Sequence, residues 1–356
     1  MNAKKDNKLC SCERDSTDEL CYKKKIDPTE NNMCYALLDD MNKERNRYNR
    51  SVKICLHPIS DECSSEKSGT HTISNSKVLK LIAPEGKVMM PIMYNLTGKL
   101  KMDSVGINEA TKLNCFCKKH DEMFHPIDEE NVQLDEVALF LYAYRAFAGT
   151  YYKIKREIKI PERLSNKYDF TKLEYIVSFQ KSMKKWLDEL EECKRVFNES
   201  IIASDCEILN SYIYTLPYRV YFAVSSCFPI IFDAYGTPII HKNGKMQLMY
   251  ISIIPHEKNT QIIFSWLKSD DPLYAEFKRQ LSIIPESFFL KFLNNLLPLS
   301  CENIAISPRL WGNWSKEAQD EFKHKAQYGW PLRSVPASYF RETEYDLFEN
   351  LDEETD

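Results

Sequence analysis

Two segments in the middle of the chain repeat apolar residues at helical spacing. Val137, Phe140, Leu141, Tyr144, Phe147, Ala148 and Tyr151 fall at offsets 0, 3, 4, 7, 10, 11 and 14, one stripe along a helix. Ile176, Phe179, Met183, Trp186, Leu187 and Leu190 repeat that spacing. The pattern predicts two long amphipathic helices that pack together through these stripes, with Trp186 in the core between them. Residues 212–267 change to strand-like apolar runs at 218–228, 246–255 and 261–266, with Lys242-Asn243-Gly244-Lys245 as a hairpin turn. Helical patterns return at about 271–281, 286–297 and 315–328.

Upstream the pattern is finer grained. Short β-like runs, Val52–Leu56 and Lys87–Tyr94, alternate with turns. Ser74-Asn75-Ser76 stands as a cap cluster before a short helix containing Val78, Leu79, Leu81 and Ile82. Cys117–Phe124 begins another helix, which Pro126 is expected to stop. These readings divide the chain into a polar, partly ordered lead-in (1–51), a small finger domain (52–128), a larger helix-rich α+β domain (129–340) and an acidic tail (341–356). The fold class is α+β, with helices and strands segregated along the sequence.

Composition narrows the function classes. With 356 residues, 43% hydrophobic and 28% charged, the chain has ample material for a core. Only 9 residues are Gly, and no phosphate-cradling glycine loop or dinucleotide fingerprint occurs, so no nucleotide cofactor is expected. The sequence likewise lacks Gly-x-Ser-x-Gly and His-Glu-x-x-His. No run approaches a membrane span, and Met1–Cys10 lacks a secretory apolar segment, which points to the cytoplasm and to no membrane partner. Net charge is −4, with residues 1–127 at +3 and residues 128–356 at −7. The densest basic run, Lys43 to Lys53, directly precedes the finger and offers a local face for nucleic acid, or simply a solvated helix surface.

In a reducing compartment the twelve cysteines read first as metal ligands or core residues. Four cysteines and four histidines concentrate between residues 55 and 125: Cys55, His57, Cys63, His71, Cys115, Cys117, His120 and His125. Cys117-Lys-Lys-His120 at a helix start puts a thiolate and an imidazole on one face, and a loop supplies the other pair for tetrahedral zinc. The expected set is Cys55, Cys63, Cys117 and His120, with His57 an alternative in the loop. Cys193, Cys206, Cys227 and Cys301 lie in apolar runs and read as core residues. Cys10, Cys12, Cys21 and Cys34 leave room for a second, ill-defined metal site.

One stretch has a familiar pattern. Thr70-His71-Thr72-Ile73-Ser74-Asn75-Ser76-Lys77-Val78-Leu79 is followed by Gly86-Lys87-Val88 and Val105-Gly106-Ile107-Asn108-Glu109-Ala110-Thr111. Phe116-Cys117-Lys118-Lys119-His120-Asp121 and Phe124-His125-Pro126-Ile127-Asp128 complete it. Residues 52–128 thereby resemble a group of bacterial proteins that in turn resemble zinc-bearing HNH (His-Me finger, treble-clef) endonucleases. Weaker echoes at Cys301-Glu302-Asn303, Ser307-Pro308 and Trp311 extend the likeness toward the carboxyl end. The resemblance implies a treble-clef or ββα-like finger around a structural zinc and a nucleic-acid substrate. It implies His71 as general base, Asn108 (or, second to it, Asn75) as the residue that orients it, and Asp121 or His125 as ligand to a catalytic Mg2+ or Mn2+. Thr70 stands where such enzymes usually carry an acidic metal ligand. The competing expectation is a zinc-stabilised module that binds protein or nucleic acid without chemistry.

Overall fold

The computed structural model describes residues 28–52, 54–66, 69–93, 100–129, 132–170, 174–241, 245–328 and 341–352. Cys10, Cys12 and Cys21 lie outside the described residues, as do the side chain of Cys34 and the turn residues 242–244.

The segment expected to be a partly ordered lead-in contributes a 24-residue helix, α1 (Pro28–Ser51). Its buried positions, Leu37, Met41, Glu44 and Tyr48, sit at offsets 0, 4, 7 and 11 and form a single stripe. With so few apolar residues the stripe is easily missed in sequence. Ion pairs and stacking hold it: Glu44 accepts from Arg163 at 2.9 Å, and the Arg163 guanidinium lies 4.9 Å from the Tyr48 ring.

After α1 come short elements: β1 (Thr70–His71), a wide helical turn over Asn75–Leu79 continuing into α2 (Lys80–Ile82), β2 (Lys87–Met93), β3 (Leu100–Gly106), β4 (Lys112–Leu113), α3 (Lys118–Asp121) and α4 (His125–Asp128). Val52–Leu56 does not form the expected strand. Its backbone instead docks on residues 114–115, through Ile54 N–H to Asn114 O (3.3 Å) and Leu56 N–H to Cys115 O (3.0 Å). Pro126 does not stop a helix either. It occupies the first turn of α4, where its missing N–H has no intrahelical partner to lose.

The two stripes become α5 (Glu136–Leu164) and α6 (Glu174–Ala203). Asp135 caps α5 by accepting from Ala138 N–H at 2.9 Å. Phe140, Leu141, Tyr144, Phe147, Ala148 and Tyr151 are buried, whereas Val137 in the first turn is exposed. On α6, Ile176, Met183 and Leu190 are buried; Trp186 is half-buried against the core. The two helices pack on each other as the stripes predict.

Strands β5 (Leu209–Leu216), β6 (Phe222–Phe228), β7 (Met249–Pro255), β8 (Thr260–Leu267) and β9 (Ile304–Ile306) join β2 and β3 in one seven-stranded sheet of order β3-β2-β9-β6-β7-β8-β5, every pairing antiparallel. Strand β2, inside the segment assigned to the finger, thus pairs with β9 of the carboxyl half of the chain, and β3 pairs with β2 at the sheet edge. Strands β6 and β7 are buried at every position because both faces are covered. Ala223, Cys227, Tyr250 and Ile263 point to the α5 side. Phe222, Val224, Ile251 and Phe264 point to a second core, closed by α7 (Asp271–Ile283), α8 (Glu286–Ser300), α9 (Pro308–Asn313) and α10 (Lys316–Tyr328). The α5-side core also contains Leu56, Ile73, Phe116 and Phe124, so the segment that carries the clustered cysteines and histidines rests directly on α5. Among the described residues no helix is long and apolar enough to cross a membrane.

Candidate metal centre and active site

Cys55 lies on the docked segment between Ile54 and Leu56. Cys63 follows the tight turn Ser60–Glu62 and closes it with its N–H on Ser60 O at 3.1 Å. Cys117 caps α3 in extended backbone conformation, and His120 stands one turn on. Lys119 to Glu62 (2.6 Å) and Lys118 to Glu66 (2.8 Å) pin the Cys63 loop to α3. The three sulfurs and His120 Nδ1 all lie within 4.8 Å of one another.

Distances give a test of fit. A tetrahedral zinc with ordinary bond lengths sets sulfur and nitrogen about 3.6 Å apart. His120 Nδ1 is 3.3 Å from Cys55 Sγ, 3.6 Å from Cys63 Sγ and 3.3 Å from Cys117 Sγ. This Cys3His cluster could hold a metal ion, and its donors and spacing are compatible with structural zinc. Burial pushes the Cys55 thiol up to about 12. Burial pushes Cys117 up as well, but the backbone N–H groups of His120 and Ser64 outweigh it and bring that thiol down to about 7, ready to ligate as thiolate.

His57 does not join the set. Its ring stacks on His120 with centroids 3.8 Å apart and planes 10° apart, and its Nδ1 accepts from Ile59 N–H at 3.3 Å. Cys115 is fully buried in the core, and burial pushes its thiol up.

His71 faces a separate cavity of about 310 Å3, lined also by Asn75, Asn108, Asp121, Asp128, Lys80 and Arg145. His71, Asn108 and Asp121 therefore come together, as expected from sequence. His125 does not; it is exposed and does not line this cavity. Arg45 and Arg50 of the basic run line a different cavity. His71 is half-buried, and its Nδ1 lies 2.9 Å from Ala110 O. A carbonyl can only accept, so Nδ1 carries the proton and Nε2 keeps its lone pair. Burial lowers the His71 pKa, which holds the ring neutral. The group that orients His71 is thus the Ala110 carbonyl; Asn108 Oδ1 accepts from Asn75 Nδ2 at 3.0 Å.

The next residue, Thr111, has φ 60, a left-handed conformation that is strained for a β-branched side chain. Its hydroxyl donates to Ile73 O at 3.2 Å, and its carbonyl accepts from Thr72 N–H at 3.1 Å. β1 pairs with β4 through Thr70↔Leu113 and His71↔Lys112. These contacts fix the depth of His71.

Arg145 was not anticipated. It is 4% exposed, donates to both Asp128 oxygens at 2.8 and 2.7 Å, and lies 4.5 Å from the Phe124 ring. Its signal in the sequence was a lone charge inside the apolar run 137–152. No family model, curated protein or solved structure matches the chain.

Proposed function

We propose that the chain is a metal-dependent endonuclease of the HNH type, hydrolysing nucleic-acid phosphodiesters at the His71 cavity beside a structural zinc. The observation that carries this reading is the division of labour on α3. His120 aims its Nδ1 at the three sulfurs, while Asp121, the next residue along the helix, faces the cavity with His71 and Asn108. Adjacent helical residues point about 100° apart, so one short helix can serve a structural ion on one side and a reaction site on the other. The order loop cysteines, β1, β4, then a helix capped by Cys117 supports a treble-clef-like finger with β2 and β3 inserted between its strands.

In this reading a water on the His71 side gives its proton to Nε2, the nitrogen left free by the bond to Ala110. Lys80 supplies positive charge for the phosphate at the cavity wall. Asp121 would hold a divalent cation, which supplies charge compensation for the leaving oxygen. Asp128, clamped by Arg145, shapes the site rather than ligating.

The test incubates wild type and His71→Ala with single- and double-stranded DNA and RNA in Mg2+ or Mn2+, with zinc content and melting temperature measured in parallel. The reading expects cleavage by wild type and its loss in the variant, with zinc and melting temperature nearly unchanged. Intact zinc with no cleavage by wild type overturns it in favour of a non-catalytic, zinc-stabilised binding module.

A further inference from the structure

The peptide joining Ala110 to Thr111 decides how His71 is held. His71 Nδ1 donates to the Ala110 carbonyl at 2.9 Å, and the direction of that carbonyl depends on the Thr111 φ of 60. An ordinary negative φ at Thr111 would swing the carbonyl off the ring. Strain of this kind persists only where the surroundings enforce it. Here the Thr111 hydroxyl donates to Ile73 O at 3.2 Å, and its carbonyl accepts from the Thr72 N–H at 3.1 Å and from the Thr72 hydroxyl at 3.0 Å.

The Thr72 hydroxyl is in turn oriented from far along the chain. Asn303, in the turn before β9, is 5% exposed, and its side-chain amide uses both hydrogens. One goes to Ser225 O at 2.9 Å and the other to Thr72 Oγ1 at 2.8 Å. A carbonyl only accepts, so the bond to Ser225 fixes which end of the Asn303 amide is nitrogen. Thr72 Oγ1 therefore accepts from Asn303, and its single proton is left for Thr111 O. Donation runs one way, from the sheet toward the turn that holds His71. The origin is anchored as well: Asn303 O accepts from Ser225 N–H at 3.2 Å, and Asn303 N–H donates to Ser226 Oγ at 3.3 Å. Both serines belong to β6, the middle strand of the seven. Thr72, Thr111, Ser225, Ser226 and Asn303 are all buried, so water cannot readily replace a bond that is lost.

We propose that Asn303 is a positioning residue for His71, which it never touches: acting through Thr72 and Thr111, it holds the Ala110 carbonyl on the ring and so keeps the proton on Nδ1 and the lone pair on Nε2. The carboxyl half of the chain thereby completes the geometry of the His71 site. The assignment rests on the proposed function for the role of His71 as base, and the state of the ring is measured apart from cleavage.

The test reads the His71 ring nitrogens by NMR in full-length protein labelled with 15N-histidine. The pH is about 8, above the ordinary histidine value of about 6.5, and the His71 signals are identified by their absence in His71→Ala. A nitrogen that carries a proton and one that keeps its lone pair resonate far apart, so the tautomer is read directly. Wild type is expected to show one tautomer, protonated on Nδ1. Asn303→Ala is expected to give a mixture in which Nε2 carries the proton in part of the molecules. Thr72→Val, which loses the hydroxyl, should do the same, whereas Thr72→Ser, which keeps it, should retain the wild-type ring. Asn294→Ala controls for lost stability: this side chain on α8 is 6% exposed and bonds Asp346 and the Leu347 N–H at 2.9 Å each. Its loss should lower the melting temperature and leave the His71 tautomer alone. In cleavage, Asn303→Ala is expected to lower kcat about tenfold or more with KM little changed, since a positioned general base contributes roughly 10²–10⁴-fold. A wild type that does not cleave removes the proposed function, and the ring signals still decide the role of Asn303. His71 held wholly in the wild-type tautomer in Asn303→Ala and Thr72→Val overturns the proposal, as does a mixture that appears equally in Asn294→Ala. Should Asn303→Ala fail to fold, the contrast between Thr72→Val and Thr72→Ser decides.

Discussion

Gly149 sits in the middle of α5, where alanine is favoured over glycine by about 1 kcal/mol on helix propensity alone. A helix considered in isolation would therefore gain from Gly149→Ala. The structure reverses the sign. A Cβ at this position would lie 2.8 Å from Thr72 Cγ2, with Thr72 Cβ at 3.6 Å and Leu113 Cδ1 at 3.8 Å. Thr72 cannot easily turn aside: its hydroxyl donates to Thr111 O at 3.0 Å and accepts from Asn303 Nδ2 at 2.8 Å. Overpacking costs about 1–3 kcal/mol, and turning Thr72 away leaves one of the two Asn303 amide hydrogens without its acceptor, the other staying on Ser225 O, for roughly the same amount. Set against the propensity gain of about 1 kcal/mol, the expected net effect of Gly149→Ala is a loss of about 0–2 kcal/mol in urea denaturation of the full chain. Thr72→Ser removes the offending methyl and keeps the hydroxyl, so in that background Gly149→Ala should gain up to about 1 kcal/mol. The coupling across the cycle should be at least about 1 kcal/mol. A Gly149→Ala protein more stable than wild type by the full propensity gain of about 1 kcal/mol, or an equal effect in both backgrounds, would refute the packing argument. Because Thr72 adjoins His71, the single variant should also lower cleavage.

Arg145→Met leaves Asp128 half-exposed and without its guanidinium. With the Asp128 side chain 29% accessible, the loss should fall at or below the low end for broken buried pairs, about 2–3 kcal/mol by denaturant titration; a loss under about 0.5 kcal/mol would contradict the clamp. The His71 pKa lies below the ordinary histidine value of about 6.5, so the acid limb of the cleavage profile should be centred below that pH; a limb at neutrality or above would contradict the neutral base. The same depression means that the unfolded chain takes up the proton first. Stability from His71 and from His57, which burial lowers to about 4, is therefore present above about pH 6.5 and lost as pH falls below it. Chelation should lower the melting temperature, because forming the Cys3His site is coupled to folding; an unchanged melting curve after the metal is stripped would contradict a structural ion.

What the sequence made legible follows from how each element satisfies its surroundings. The α5 and α6 stripes were readable because burial is one-sided and periodic, and Val137 departs because it lies in the first turn. β6, β7 and β8 were readable as continuous apolar runs because helices cover both faces. α1 was not, since its contacts with α5 are largely ionic and its apolar stripe is thin. β3 was missed for a related reason: Lys101 and Asp103 interrupt its apolar positions. The cluster of Cys55, Cys63, Cys117 and His120 could be selected by residue type and spacing. That His57 would stack rather than ligate, and that His125 would face solvent, depends on where α3 and α4 point, which no local pattern encodes. Arg145 reaches the cavity from α5, outside the motif that carries His71, and only tertiary packing brings it there.

The claim on which the rest depends is that Cys55, Cys63, Cys117 and His120 share one zinc ion. X-ray absorption at the zinc K-edge of freshly purified protein tests it directly. The account predicts about one zinc per chain, with three sulfur neighbours at about 2.3 Å and one nitrogen at about 2.0–2.1 Å; the Cys63→Ser variant should lose one sulfur from that shell. Folded protein without zinc, or a shell dominated by oxygen, would contradict it.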